Sequence, residues 1–143
     1  MTLDEFDQTY PNGLVDAEVT KLTIDYQTRA AKFAMNLRGN LPDEPNSQEY
    51  RQGILALRDF YYVSIEPPDS DHLFYPRQQK IVVSGHPEDP SQFTLFESVK
   101  PVLPASAFCC RLYVHDWNSF IHVAAEQGQF AWTDEKERSG LPG

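Results

Sequence analysis

The chain has 143 residues, 41% of them hydrophobic and 23% charged, so by size it is one domain with enough apolar material for a core without staples. Acidic side chains number 21 against 12 basic ones, a formal charge of −9 with a pI near 4.7. That field repels phosphate backbones and anionic membrane surfaces and argues against nucleic-acid and membrane partners, while it speeds encounter with a basic protein.

Residues 1–13 are polar and end in Pro-Asn-Gly, which predicts an N-terminal arm ahead of a single β domain over 14–132. The arm carries neither a basic region nor an apolar run, and no stretch approaches the ~18 apolar residues of a membrane span. The expectation is therefore a cytoplasmic chain.

Seven Tyr and nine Phe, with 11 Pro and seven Gly spread as punctuation, favour many short strands over a few long helices. Glu18–Tyr26 and Ala30–Leu37 read as a hairpin around Gln27-Thr28-Arg29, since Ala31, Phe33, Met35 and Leu37 recur with period two. Val19 is out of phase with Leu22, Ile24 and Tyr26, which points to a bulge near Thr20 or to a shorter strand. After the loop Gly39–Ser47, Arg51–Arg58 and Phe60–Ile65 read as two strands, either a pair or one long bent strand; the competing helix would carry Gly53 in its interior. Glu66-Pro67-Pro68 ends the ladder. A loop over 69–78 carries Leu73, Phe74 and Tyr75, followed by strands over Lys80–Ser84 and Gln92–Val99. The tail 133–143 is polar and expected to be solvated.

The most regular pattern is Ala107–Trp132. A two-residue tip at Trp117-Asn118 pairs Val114 with Ile121, Leu112 with Val123 and Cys110 with Ala125 on one face, and leaves Arg111, Tyr113, His115, Phe120 and His122 on the other. A third short segment follows Gly128. Cys109 and Cys110 are adjacent in this strand, so they face opposite ways and cannot bridge each other; two free thiols suit a reducing compartment. Eight or nine short strands in all imply an all-β fold, an antiparallel sandwich or a partly open barrel.

Chemistry-bearing patterns are sparse. His115 and His122 become diagonal neighbours in that register, but a zinc site wants a third ligand and Cys109 lies too far up the strand, so two sheet-surface histidines are the preferred reading. Asp69-Ser70-Asp71-His72 lacks an EF-hand frame and reads as a polar loop. No GxSxG, CxxC, HExxH or phosphate-cradling glycine loop is present. Trp117 must fold back over the sheet or protrude as an interface anchor, and folding back is preferred.

Three stretches, Leu14-Val15-Asp16-Ala17, Glu66-Pro67-Pro68-Asp69 and Trp117-Asn118-Ser119-Phe120-Ile121, together resemble small bacterial β domains of unknown function, some found beside immunity proteins of polymorphic toxin systems. In that pattern a His precedes the Asp of the first stretch, where this chain has Val15. The resemblance implies a cytosolic, non-enzymatic protein. The expected function is thus a binding module for a protein partner, plausibly basic, through Tyr113, His115, Trp117, Phe120 and His122, with no catalytic residue, metal or cofactor. The alternative is a β-barrel that binds a small molecule or metal, with hydrolytic activity and with His115 and His122 near its mouth. Either would be a monomer or a homodimer formed through an exposed strand edge.

Overall fold

The computed structural model describes residues 1–10, 12–38, 49–71, 79–88 and 103–133. Six strands close into an antiparallel barrel in the order β1-β2-β3-β6-β5-β4: β1 Ala17–Asp25, β2 Ala30–Arg38, β3 Tyr50–Ile65, β4 Ile81–Pro87, β5 Phe108–Val114 and β6 Ser119–Trp132. Alternation builds the interior. Ala31, Phe33, Met35 and Leu37 of β2 point inward beside Leu55 and Leu57 of β3, Val83 of β4, Phe108, Cys110, Leu112 and Val114 of β5, and Ile121, Val123 and Ala125 of β6, all buried. Each large apolar side chain so enclosed contributes roughly 1.5–3 kcal/mol. Gly128 makes room for Phe108, because a Cβ there would stand 2.8 Å from the Phe108 ring.

The barrel is closed, where an antiparallel sandwich or a partly open barrel was expected, and the described residues hold six strands where eight or nine were expected for the chain. Two mergers account for part of the difference. Of the two alternatives for 51–58 and 60–65, the single long strand is the one found, and it passes its irregularity with Asp59 at φ +52° and a register shift between Phe60 and Tyr62. Likewise β6 runs through Gly128 without a break. The strand expected over 92–99, the side chains of Leu73, Phe74 and Tyr75, and the tail beyond 133 lie outside the described residues. The bulge expected near Thr20 is present, between Val19 and Lys21.

The β5–β6 register differs from expectation by two residues. Val114 pairs with Ser119, Leu112 with Ile121, Cys110 with Val123 and Phe108 with Ala125. The tip is a four-residue turn, His115–Asn118, in which the Val114 carbonyl accepts from both Trp117 N (3.2 Å) and Asn118 N (3.0 Å) and Asn118 closes the loop at φ +50°. A shift of two preserves every residue's face, so the sorting into apolar interior and polar exterior survives the wrong register.

Residues 3–9 form a helix, α1, where a polar arm was expected. Thr2 and Glu5 make a reciprocal capping box, and Leu3 and Phe6 are buried. The helix plugs one end of the barrel with aromatic rings: Phe6 meets Phe130 edge-on at 5.5 Å, and Tyr10 packs on Phe6 (4.6 Å), Phe130 (4.9 Å) and Trp132 (5.8 Å). Tyr10 Oη donates to the Phe130 carbonyl at 3.2 Å. Gly53 has no side chain because the Phe130 ring lies directly on its backbone. The opposite end carries the turns 26–29 and 115–118 and the loop 66–71. There the barrel is fastened loosely among the described residues, in which β1 pairs with β4 through Ala17, Glu18 and Val19.

Candidate functional site

The outer wall of the β5–β6 hairpin carries a close group of titratable side chains, His122, Glu66, Glu88, Tyr62 and Cys109. His122 leaves the sheet on that face, yet it is buried (5% exposed) and not the open surface histidine expected. Its Nδ1 lies 2.6 Å from Glu88 Oε1 and its Nε2 lies 2.6 Å from Glu66 Oε2. Glu88 is wholly enclosed, whereas Glu66 is half-exposed. Two carboxylates on one imidazole are best served by a ring protonated at both nitrogens. The bond to Glu88, reinforced by Glu66, raises the His122 pKa above its ordinary value although burial opposes the charge.

Beside this bridge Tyr62 Oη lies 3.4 Å from Glu88 Oε2 and 3.7 Å from Cys109 Sγ. Burial, then Cys109 and Glu88, push the Tyr62 phenol well above its usual range. The Arg111 guanidinium stacks 5.1 Å over Phe120, and its Nε is buried without a hydrogen-bond partner among the described residues. Cys110, on the inner face, is fully enclosed and its thiol is pushed up by burial, so it is an inert core residue.

The other expected site residues fall into two groups. Tyr113 pairs across the sheet with Phe120, and its Oη donates to Asn118 Oδ1 (2.8 Å), whose Nδ2 donates to Asp69 Oδ2 (3.0 Å). Asp69 N donates to the Trp117 carbonyl (2.8 Å) and Glu66 N to the Phe120 carbonyl (3.0 Å). Glu66-Pro67-Pro68-Asp69 and Trp117-Asn118-Ser119-Phe120-Ile121 are thus stitched together. His115 belongs to the turn and has separate partners: its Nε2 lies 3.0 Å from Ser84 Oγ and 3.6 Å from Asp16 Oδ1. It is not the sheet neighbour of His122, because Arg111 holds the place opposite that residue.

Ser84, His115 and Asp16 have the composition of a hydrolytic triad but not its wiring. The carboxylate approaches the same ring nitrogen as the hydroxyl, so it cannot orient the ring from Nδ1. The backbone amides beside them are spent: Gly85 N on the Leu14 carbonyl, His115 N on Val82, and Asp16 N on Ser84 Oγ. None of these is left to form an oxyanion hole. Among the described residues no group of three or more His, Cys, Asp or Glu is placed to hold a metal ion.

Trp117 folds back against the core, half-buried. With Leu22, Phe33, Ile65, Ile81 and Ile121 it lines a cleft of about 300 Å³ at the loosely fastened end. Ile65 is 49% exposed on the rim. Compared with protein-family models, curated proteins and solved structures, the chain finds no match. The site is therefore read from its own geometry. Among the described residues no helix is long and apolar enough to cross a membrane.

Two elements of this region had no reading in the sequence. Glu66 and Glu88 lie 56 and 34 residues from His122, too far apart for local spacing to join them. The α1 plug, by contrast, had a signal: Thr2-x-x-Glu5 is a capping-box pattern, and Leu3, Phe6 and Tyr10 fall at helical spacing.

Proposed function

We propose that this chain is a non-enzymatic binding module for a protein partner, with its acid excess favouring a basic one. The observation that carries the reading is the apolar cleft under Trp117, with Ile65 exposed on its rim, at the one barrel end that α1 does not plug. The polar side chains of the hairpin support it. His122 has both nitrogens on carboxylates, Tyr113 is tied to Asn118, and His115 rests on Ser84, so each serves the fold more readily than a substrate. Residues that anchor interfaces are large and amphipathic and sit in apolar pockets, and Trp117 is a large amphipathic side chain on a mostly apolar cleft.

Affinity capture followed by calorimetry tests this. Trp117→Ala is expected to weaken a captured partner about tenfold or more. Unchanged affinity would remove Trp117 as an anchor. A second reading is favoured by one observation, the 3.0 Å contact of Ser84 Oγ with His115 Nε2: a barrel acting on a small ester. Labelling of Ser84 by a fluorophosphonate, lost in His115→Ala, would support it.

A further inference from the structure

At the barrel end that α1 does not plug, a strand edge stands beside the cleft. β1 pairs with β2 from Glu18 to Asp25, but among the described residues it pairs with β4 at Ala17, Glu18 and Val19. Past the bulge at Thr20, the stretch Lys21–Asp25 has no strand on its second side among the described residues, and alternate amides and carbonyls of such a stretch are not used by the β2 ladder. Its side chains are not those of a guarded edge throughout. Leu22 and Ile24 are half-buried on the core, Tyr26 is 75% exposed just beyond, and the cleft under Trp117 opens alongside Lys21 and Leu22. Hydrogen-bonding edge and apolar pocket stand side by side, which is the arrangement that binds an extended peptide by strand addition.

We infer that Lys21–Asp25 is the docking edge for an extended segment of a partner protein, a segment that places one large apolar side chain in the cleft and carries lysine or arginine on its flanks. This rests on the binding-module reading and names the partner's chemistry. Charge selects the occupant. Asp25, Asp69, Asp71 and Asp116 frame this end, and of the two lysines on the cleft, Lys80 is paired with Glu18. A second copy of the chain would bring another −9 to the same place, so self-pairing is opposed by the field that draws in a basic strand.

The test uses the full chain and two capped heptapeptides, Lys-Thr-Val-Phe-Val-Thr-Lys and Glu-Thr-Val-Phe-Val-Thr-Glu. In the chain alone, every second amide from Lys21 to Asp25 is expected to exchange fast, while those of Ala31–Leu37, flanked by strands on both sides, are uniformly slow. The lysine peptide is expected to slow the fast set and to bind about tenfold tighter than the glutamate peptide at low salt, a gap that closes near ~0.5 M salt. Ile65→Asp, checked for an unchanged melting temperature, is expected to abolish most of that binding. Slow exchange throughout Lys21–Asp25 in the chain alone overturns the inference, because the edge is then already paired within the molecule. So do equal affinities for the two peptides, protection at another strand, or no binding. A captured protein that binds while these amides stay fast overturns the edge and leaves the module reading intact. Strand addition by the lysine peptide with no protein partner found supports the edge and removes the module reading.

Discussion

The two ends of the barrel are built on opposite principles. At one, α1 drives Phe6 and Tyr10 onto Phe130 and Trp132, and Arg51 stacks 4.2 Å over Trp132, so rings are covered by rings. At the other, no helix covers the mouth among the described residues; order there comes from polar stitches, Tyr113 to Asn118 to Asp69 and Glu66 to His122, which leave Ile65 and part of Trp117 in reach of solvent. Apolar closure gives stability and hides surface. Polar closure fixes geometry and leaves apolar surface available, which is what a recognition site requires.

Breaking the plug tests the first half of that contrast most severely. Phe6→Ala removes a fully buried ring and is expected to cost about 3–5 kcal/mol, read as a shift in the urea midpoint. Breaking the polar side comes next. Glu88→Ala strips a wholly buried carboxylate from His122 and is expected to cost about 3 kcal/mol. The same bridge predicts a pH dependence. His122 has its pKa raised on folding, so its contribution is fully present below the unfolded value near 6.5 and is lost as pH rises through the higher folded value. The melting temperature is thus expected to fall as pH rises from the unfolded value through the folded one, and a His122→Gln variant is expected to lose the dependence. Thr2→Ala removes the cap of α1 and is expected to cost about 1 kcal/mol, sharpening how much of the plug depends on that helix start. Smallest of all, Ile65→Asp is expected to change stability by less than about 0.5 kcal/mol, because the side chain is already half in water. A large loss there would mean the open end is core after all.

The faces of the strands were legible in the sequence because period two depends only on parity: Leu112, Val114, Ile121 and Val123 point inward in either register. The register itself was not, since Asn118 serves equally as the second residue of a two-residue tip or the last of a four-residue turn. Strand continuity was harder to read: the segments either side of Asp59 could be a pair or one bent strand, and Gly128 looked like a break, yet both residues are absorbed inside continuous strands. Of the expected contact residues, Tyr113, Phe120 and His122 do share the outer wall, while His115 turns to Asp16 and Ser84 at the tip. What no local pattern could supply is the pair of glutamates on His122, which meet only through the fold.

Among the described residues the junction of β1 with β4 has three rungs, and it joins residues more than sixty positions apart, Val19 to Ile81 and Ala17 to Val83. A ring held by so short a zipper opens there first when heated, unrolling into a curled sheet whose other ladders persist, and it is the last to fasten during folding because its loop-closure cost falls on so few bonds. A guest strand laid along Lys21–Asp25 would lengthen that zipper in place. Occupancy would then register as slower unrolling of the whole cylinder, a clasp added from outside.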